Sequence, residues 1–112
     1  MFNKEKYGRI LTPMVTPFSK DQSVNYEAAV EVASKLIKEN KADSIILSGT
    51  TGEFFSMNLE ERVQLFEKIK KETGNEIPLI AGTGANTTPE TIDLSKKAEA
   101  LGYDLLMVLS PY

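Results

Sequence analysis

The chain has 112 residues, of which 41% are hydrophobic and 26% are charged, a composition typical of one small globular domain. It contains no histidine and no cysteine, which excludes disulfides, zinc–thiolate sites, cysteine nucleophiles and histidine-based triads. The formal net charge of -3 and the scattered lysines argue against a nucleic-acid partner. The segment MFNKEKYGRI lacks the apolar core of a signal peptide, and no apolar run approaches the roughly 18 residues of a membrane span, so we expect a cytoplasmic protein without a membrane partner.

Strand-like and helix-like patterns alternate along the chain. Short apolar runs, typical of parallel strands covered on both faces, predict four strands. Apolar residues at helical spacing predict three helices between them. The strands are predicted over 10–15, 44–49, 77–82 and 105–110, and the helices over 25–39, 58–74 and 88–102.

Local signals mark the ends of the second and third predicted helices. Asn58 and Glu61 have the spacing of a capping box, and Gly74 ends that helix. The pair Thr88–Pro89 opens the third helix, and Gly102 closes it. The apolar residues expected on the third helix are Ile92, Leu94, Ala98 and Leu101.

The resulting order, β-α-β-α-β-α-β, occupies residues 1–112 as a single unit without a linker or a second domain. Two α/β architectures fit this order: an open four-stranded parallel sheet, or the first half of a (β/α)8 TIM barrel. In both folds, ligands bind at the carboxyl ends of the strands. The segments predicted to follow the four strands are rich in Gly, Thr, Ser and Asn, and they read TPF, SGTTGEFF, AGTGANTT and SPY.

The sequence GTTGE at residues 49–53, called the threonine loop below, is the strongest candidate for a ligand site. Gly49 and Gly52 allow sharp backbone turns, so that the amides and hydroxyls of Thr50 and Thr51 can converge on one small volume. Such an uncharged group of donors suits a carboxylate or an oxyanion. The alternative is that the threonines satisfy only the backbone of their own loop.

Two other segments have weaker functional signals. GTGAN at residues 82–86 resembles a phosphate-binding loop, but it lacks the G-x-G-x-x-G spacing and has no partnering lysine. Tyr112 follows the fourth predicted strand, where a phenol could carry a proton. An aromatic side chain that covers a barrel mouth or an interface is an equally good interpretation of Tyr112.

Four segments together resemble the dihydrodipicolinate synthase / N-acetylneuraminate lyase family: LTPMVTPF, SGTTGEFFSMNLEER, IAGTGAN and SPY. Members of this family are (β/α)8 TIM barrels, usually tetramers, that join or cleave pyruvate and an aldehyde, or act on related 2-keto acids, through a lysine Schiff base. The resemblance implies that Thr51 binds the keto-acid carboxylate and that Thr50 relays a proton to a catalytic tyrosine. It implies no metal or organic cofactor, because the lysine imine itself serves as the electron sink.

The resemblance also implies that part of the catalytic machinery lies outside these residues. A barrel needs about 250 residues, and the family's Schiff-base lysine and principal tyrosine belong to its sixth and fifth strands. The lysines of the predicted helices are most simply interpreted as solvent-facing charges. We therefore expect this 112-residue chain to be inactive by itself, and the complete protein to be a homo-oligomer.

In the synthase branch of the family, a lysine feedback site maps onto Asn86, Glu90 and Tyr112. Three positions depart from the regulated pattern, which argues against feedback by lysine: Phe55, Leu59 and Arg62. For Asn86 and Glu90, the alternative interpretation is a helix cap and a carboxylate in the first helical turn. For the whole chain, the alternative function is a non-catalytic half-barrel or flavodoxin-like domain that binds a small anion.

Overall fold

A computed structural model describes residues 2–112, which form an α/β structure with all of the predicted strands and helices. The strands are shorter than the apolar runs that predicted them. A short first helix near the amino terminus, which the sequence did not predict, begins after Asn3, whose side chain accepts a hydrogen bond from the Lys6 amide. The strands are β1 Leu11–Pro13, β2 Ser44–Leu47, β3 Leu79–Gly82 and β4 Leu105–Met107, and the helices are α1 Lys4–Tyr7, α2 Tyr26–Lys38, α3 Leu59–Thr73 and α4 Thr88–Ala100.

The four strands form one parallel sheet in the order β1-β2-β3-β4. Each neighbouring pair is parallel, with Thr12 opposite Ile45 and Ile80 opposite Leu105, for example. A flavodoxin-like sheet reverses its strand order at a switch point, whereas a barrel adds each strand beside the last. The flavodoxin-like alternative is therefore wrong for the described residues, and the barrel-type arrangement is correct.

The core lies between the sheet and the three long helices. The strands contribute alternate residues such as Ile45 and Leu79, and α3 contributes Phe66, all of them fully buried. Burying a side chain the size of Phe66 contributes about 1.5–3 kcal/mol. The Tyr103 ring packs 5.2 Å from that of Phe66, and its hydroxyl donates to the Phe66 carbonyl over 2.8 Å. Packing thus fixes the helix layer to the sheet, and a buried hydrogen bond links α3 to the segment that precedes β4.

The helix ends follow the predicted signals closely. Asn58 accepts from the Glu61 amide over 2.8 Å, and Glu61 accepts from the Asn58 amide over 3.0 Å, which is a capping box. One prediction on α4 is wrong: Ile92 is 48% exposed, whereas Leu94 and Ala98 are fully buried. Two residues correspond to about 200° around a helix, so Ile92 faces away from the side that Leu94 buries.

The face of the sheet opposite the helices is apolar, and apart from the buried Ile80 it is at least partly uncovered within residues 2–112. Strand alternation assigns Pro13, Ile46 and Met107 to this face. Val15, just beyond β1, is 53% exposed. A contiguous apolar sheet face of this kind normally packs against other elements.

No helix in the described part of the chain combines the length and apolar character needed to span a membrane.

Candidate functional site

The chain turns sharply where β2 ends. Ser48 is 1% exposed and has a φ of 58°, in the left-handed region that few side chains adopt. Within the threonine loop, the Glu53 amide donates to the Thr50 carbonyl over 3.0 Å. A β-carbon added to Gly52 would stand 3.0 Å from the Met14 carbonyl oxygen, so this position has little room for a side chain. The loop therefore lies close against the end of β1 before the chain enters a 3-10 turn, Phe54–Ser56.

Thr50 and Thr51 lie together at the carboxyl end of β2, where the sequence predicted them. Both are exposed, while the flanking Gly49 and Gly52 are buried. Neither threonine hydroxyl makes a hydrogen bond to another residue in the range 2–112, so the structure does not show the alternative in which they satisfy their own loop. Two free hydroxyls on a tightly packed backbone can donate to an anion from outside.

A buried hydroxyl beneath the loop was not predicted. Thr16 follows β1, and its Oγ1 is buried without a hydrogen-bond partner among the described residues. That oxygen stands 3.1 Å from the β-carbon position on Gly52. The sequence offered no signal for this contact beyond the threonine's place after the first strand.

The segment after β3 does not form an exposed phosphate loop. Residues 82–85 are buried. The Thr83 amide donates to the Met107 carbonyl, and the Ala85 amide donates to Thr91 Oγ1, each over 3.0 Å. A phosphate loop presents its amides to the ligand, whereas here they link β3 to β4 and to α4. The similarity of GTGAN to a phosphate loop is therefore misleading.

Arg62 is the residue of this region that the sequence did not reveal as buried. It is 2% exposed on α3, and all three guanidinium nitrogens donate hydrogen bonds. Burial lowers its pKa to about 10, with the charge of Glu90 acting in the opposite direction. Arg62 lies three and four residues before Leu65 and Phe66, so helical spacing alone assigns it to the buried face.

The residues compared with the feedback site come together around one cavity. This cavity has a volume of about 300 Å³, and its lining includes Asn86, Glu90, Tyr112, Phe55, Leu59 and Arg62. The Tyr112 ring, 81% exposed, is stacked on that of Phe54, with centroids 6.0 Å apart and planes 6° apart. The helix-cap interpretation of Asn86 is wrong, because Thr87 caps α4 by accepting from the Glu90 amide over 3.4 Å. Glu90 lies in the first turn, as expected.

Comparisons with known proteins agree with this geometry. The model of the Dihydrodipicolinate synthetase family matches residues 6–112. The chain is 44% identical over 106 residues to 4-hydroxy-tetrahydrodipicolinate synthase of Desulforamulus reducens, covering 95% of this chain and 36% of that protein. It is also similar to several solved structures. N-acetylneuraminate lyase from Mycoplasma synoviae has a TM-score of 0.92 at 32% identity, over 98% of this chain and 38% of that one.

A second structure is YagE of E. coli K12 in complex with pyruvate, with a TM-score of 0.87 at 30% identity, over 92% of this chain and 34% of that one. The chain thus spans about a third of the length of the relatives it matches. Its parallel sheet corresponds to the amino-terminal part of their TIM-barrel fold. With 107 of its 112 residues matched, the chain belongs to the dihydrodipicolinate synthetase family.

Proposed function

We propose that these residues form part of a Schiff-base-forming lyase or aldolase that acts on pyruvate or a related 2-keto acid. The observation that carries this proposal is the pair of exposed, unbonded hydroxyls of Thr50 and Thr51 at the carboxyl end of β2. Thr51, supported by Gly49 and Gly52, binds the carboxylate, and Thr50 relays a proton. A binding site made of uncharged donors orients the carboxylate of the substrate. Because it contains no fixed cation, it leaves the pKa of nearby acid and base groups undisturbed.

The nucleophilic lysine, on this proposal, comes from outside residues 1–112. A Schiff-base lysine needs a lowered pKa, which burial or a neighbouring cation supplies. No lysine of the described residues is buried. Lys68 Nζ forms an ion pair with Glu27 Oε1 over 3.1 Å. This carboxylate raises the Lys68 pKa, which keeps the amine protonated.

Reductive trapping tests the location of the nucleophile. Incubation with pyruvate and borohydride converts a lysine imine to a stable amine and adds the mass of the reduced ligand. The full-length protein should gain one adduct per subunit, while the 112-residue chain should gain none. A pyruvate adduct on any lysine of the 112-residue chain would contradict the proposal.

A second test addresses the threonine loop itself. In the full-length protein, Thr51→Val should weaken pyruvate binding by about tenfold or more, because it removes a hydroxyl donor to a charged acceptor. Thr88→Val, at an exposed threonine on the first turn of α4, is the matched control and should bind pyruvate normally. Unchanged binding in Thr51→Val would reject the carboxylate role. Tighter binding of phosphate than of pyruvate would instead favour the non-catalytic anion-binding half-barrel.

Assembly into a homo-oligomer is part of the same proposal. The exposed rings of Phe55 and Tyr112 both pack against the Phe54 ring, Phe55 edge-on and Tyr112 stacked, with centroid distances of 5.7 Å and 6.0 Å. Exposed aromatic clusters are typical of the cores of protein interfaces. This position supports an interface role for Tyr112.

A further inference from the structure

Arg62 contacts the residues at both ends of the threonine loop. Its Nε donates to Ser48 Oγ over 2.7 Å, and Ser48 immediately precedes the loop. Its guanidinium carbon lies 4.9 Å from the centroid of the Phe54 ring, and Phe54 immediately follows the loop. One side chain therefore links the two residues that determine where the loop begins and ends.

The same guanidinium joins the loop to the end of β3. Nη2 donates to the Gly82 carbonyl over 2.6 Å, and Nη1 donates to the Gly84 carbonyl over 3.0 Å. All of the guanidinium nitrogens are thus used, and their acceptors come from segments 14 to 22 residues away in sequence. The planar fork of arginine suits this task, because a lysine ammonium cannot match three acceptors in one plane.

Neutral groups accept all three hydrogen bonds of Arg62, and Glu90 acts on its charge only through space. None of the ion pairs among residues 2–112 involves Arg62. Burying a charge without a carboxylate partner is unfavourable, and the hydrogen bonds from the charged donor offset this cost only if their geometry is retained. A buried cation with three strong and directional bonds therefore resists movement of each group that it contacts.

We propose that Arg62 is a positioning residue, which fixes Ser48 and Phe54 and thereby holds the threonine loop with Thr50 and Thr51 open to a keto-acid carboxylate. The ordering of the loop by Arg62 does not depend on any ligand. Its consequence for the keto acid rests on the proposed function above. Arg62 does not itself contact the keto acid, because all three of its guanidinium nitrogens donate to Ser48, Gly82 and Gly84, although its side chain also borders the cavity near Tyr112.

Amide hydrogen exchange tests the ordering directly in the full-length protein. The amides of residues 49–53 should exchange roughly tenfold faster or more in Arg62→Met, with partial recovery in Arg62→Lys. Lys71→Met, on an exposed turn of the same helix, is the control and should leave them unchanged. Ser48→Ala removes one acceptor without altering α3, so it provides the measurement if Arg62→Met does not fold. If the amides of residues 49–53 exchange in both Arg62→Met and Ser48→Ala at the rate seen in Lys71→Met, the inference is overturned.

Kinetics with pyruvate separates this inference from the proposed function. Arg62→Met should raise KM for pyruvate about tenfold or more, since a displaced donor loses its bond to the carboxylate. In Arg62→Ala, added guanidinium ion should restore part of the affinity. If Thr51→Val weakens pyruvate binding and the Arg62 variants do not, then Arg62 does not position the loop for the ligand, and the proposed function stands. If Thr51→Val has no effect, the proposed function is wrong, and the exchange rates alone decide whether Arg62 orders the loop.

Discussion

The Ser48 carbonyl oxygen occupies the space that a side chain on Gly82 would need. A β-carbon on Gly82 would overlap this oxygen and also stand 2.9 Å from the Leu47 carbonyl oxygen. The ends of β2 and β3 thus approach each other more closely than any residue except glycine permits at this point. The residue that approaches Gly82 so closely is the left-handed Ser48, whose hydroxyl accepts from Arg62.

Gly82→Ala should therefore destabilise the protein by about 3 kcal/mol or more, because the obstructing atoms are backbone and cannot rotate away. Denaturant unfolding of the full-length protein measures this difference. Gly74→Ala is the control: its φ is 58° but nothing lies within 4 Å, so backbone strain alone should cost about 1 kcal/mol. A loss in Gly82→Ala no larger than that in Gly74→Ala would show that the overlap at Gly82 does not carry the expected cost.

Substitutions at Ser48 should separate the contribution of its hydroxyl to stability from that of its backbone conformation. Ser48→Ala leaves the Arg62 Nε without an acceptor, which should cost about 1–3 kcal/mol of unfolding free energy. Ser48→Gly loses the same bond but relieves a left-handed backbone, worth about 1 kcal/mol. The glycine variant should thus be the more stable of the two. The reverse order would contradict the assignment of strain to Ser48.

The pH dependence of stability should reveal the buried Tyr103. Burial raises the pKa of its phenol above the ordinary value of 10. The unfolded state consequently loses this proton first, so the contribution of Tyr103 is present below pH 10 and is lost as pH rises further. Arg62 acts in the opposite sense above about pH 10, since burial lowers its pKa to about 10.

Denaturant unfolding at pH 9 and pH 11 should show a loss of stability in the wild-type protein that exceeds the loss in Tyr103→Phe by about 1.4 kcal/mol, which corresponds to one pKa unit. The phenylalanine variant should also be about 1 kcal/mol less stable at pH 7, because the Phe66 carbonyl loses its donor. An identical loss in both proteins would mean that Tyr103 does not titrate with unfolding.

The features that the sequence predicted correctly are those fixed by short-range interactions. The capping box of Asn58 and Glu61 lies within one helical turn, so its residues alone define it. The parallel strands and the position of Thr50 and Thr51 at their carboxyl ends followed from the alternation of elements along the chain, whereas the barrel-type strand order followed from the resemblance to the family. Helical spacing assigns Arg62 to the buried face of α3, but it was missed because an arginine is buried only where acceptors are available, and those at Ser48, Gly82 and Gly84 come from other segments of the chain. The choice of Thr87 over Asn86 as cap likewise depends on backbone angles, since either side chain is suitable.

Feedback by L-lysine should be absent in the full-length protein. A lysine ligand would bring a second cation to a cavity whose wall already includes Arg62, and Phe55 occupies part of the lining. Activity measured with L-lysine up to the millimolar range should be unchanged, and calorimetry should detect no saturable binding. Saturable inhibition that disappears in Glu90→Gln would contradict this prediction and would show that L-lysine binds in this cavity.

The uncovered face of the sheet should make the isolated 112-residue chain self-associate. Val15 lies on that face and is exposed, so Val15→Glu should reduce the association, because a buried carboxylate without a partner is unfavourable. Ile92→Glu introduces the same charge at a comparably exposed apolar residue on the helix layer, and it should leave the association unchanged. Sedimentation velocity over a range of concentrations measures both effects. A monomeric wild-type chain at high concentration would show that the apolar face does not need a partner, and equal effects of the two variants would place the contact elsewhere.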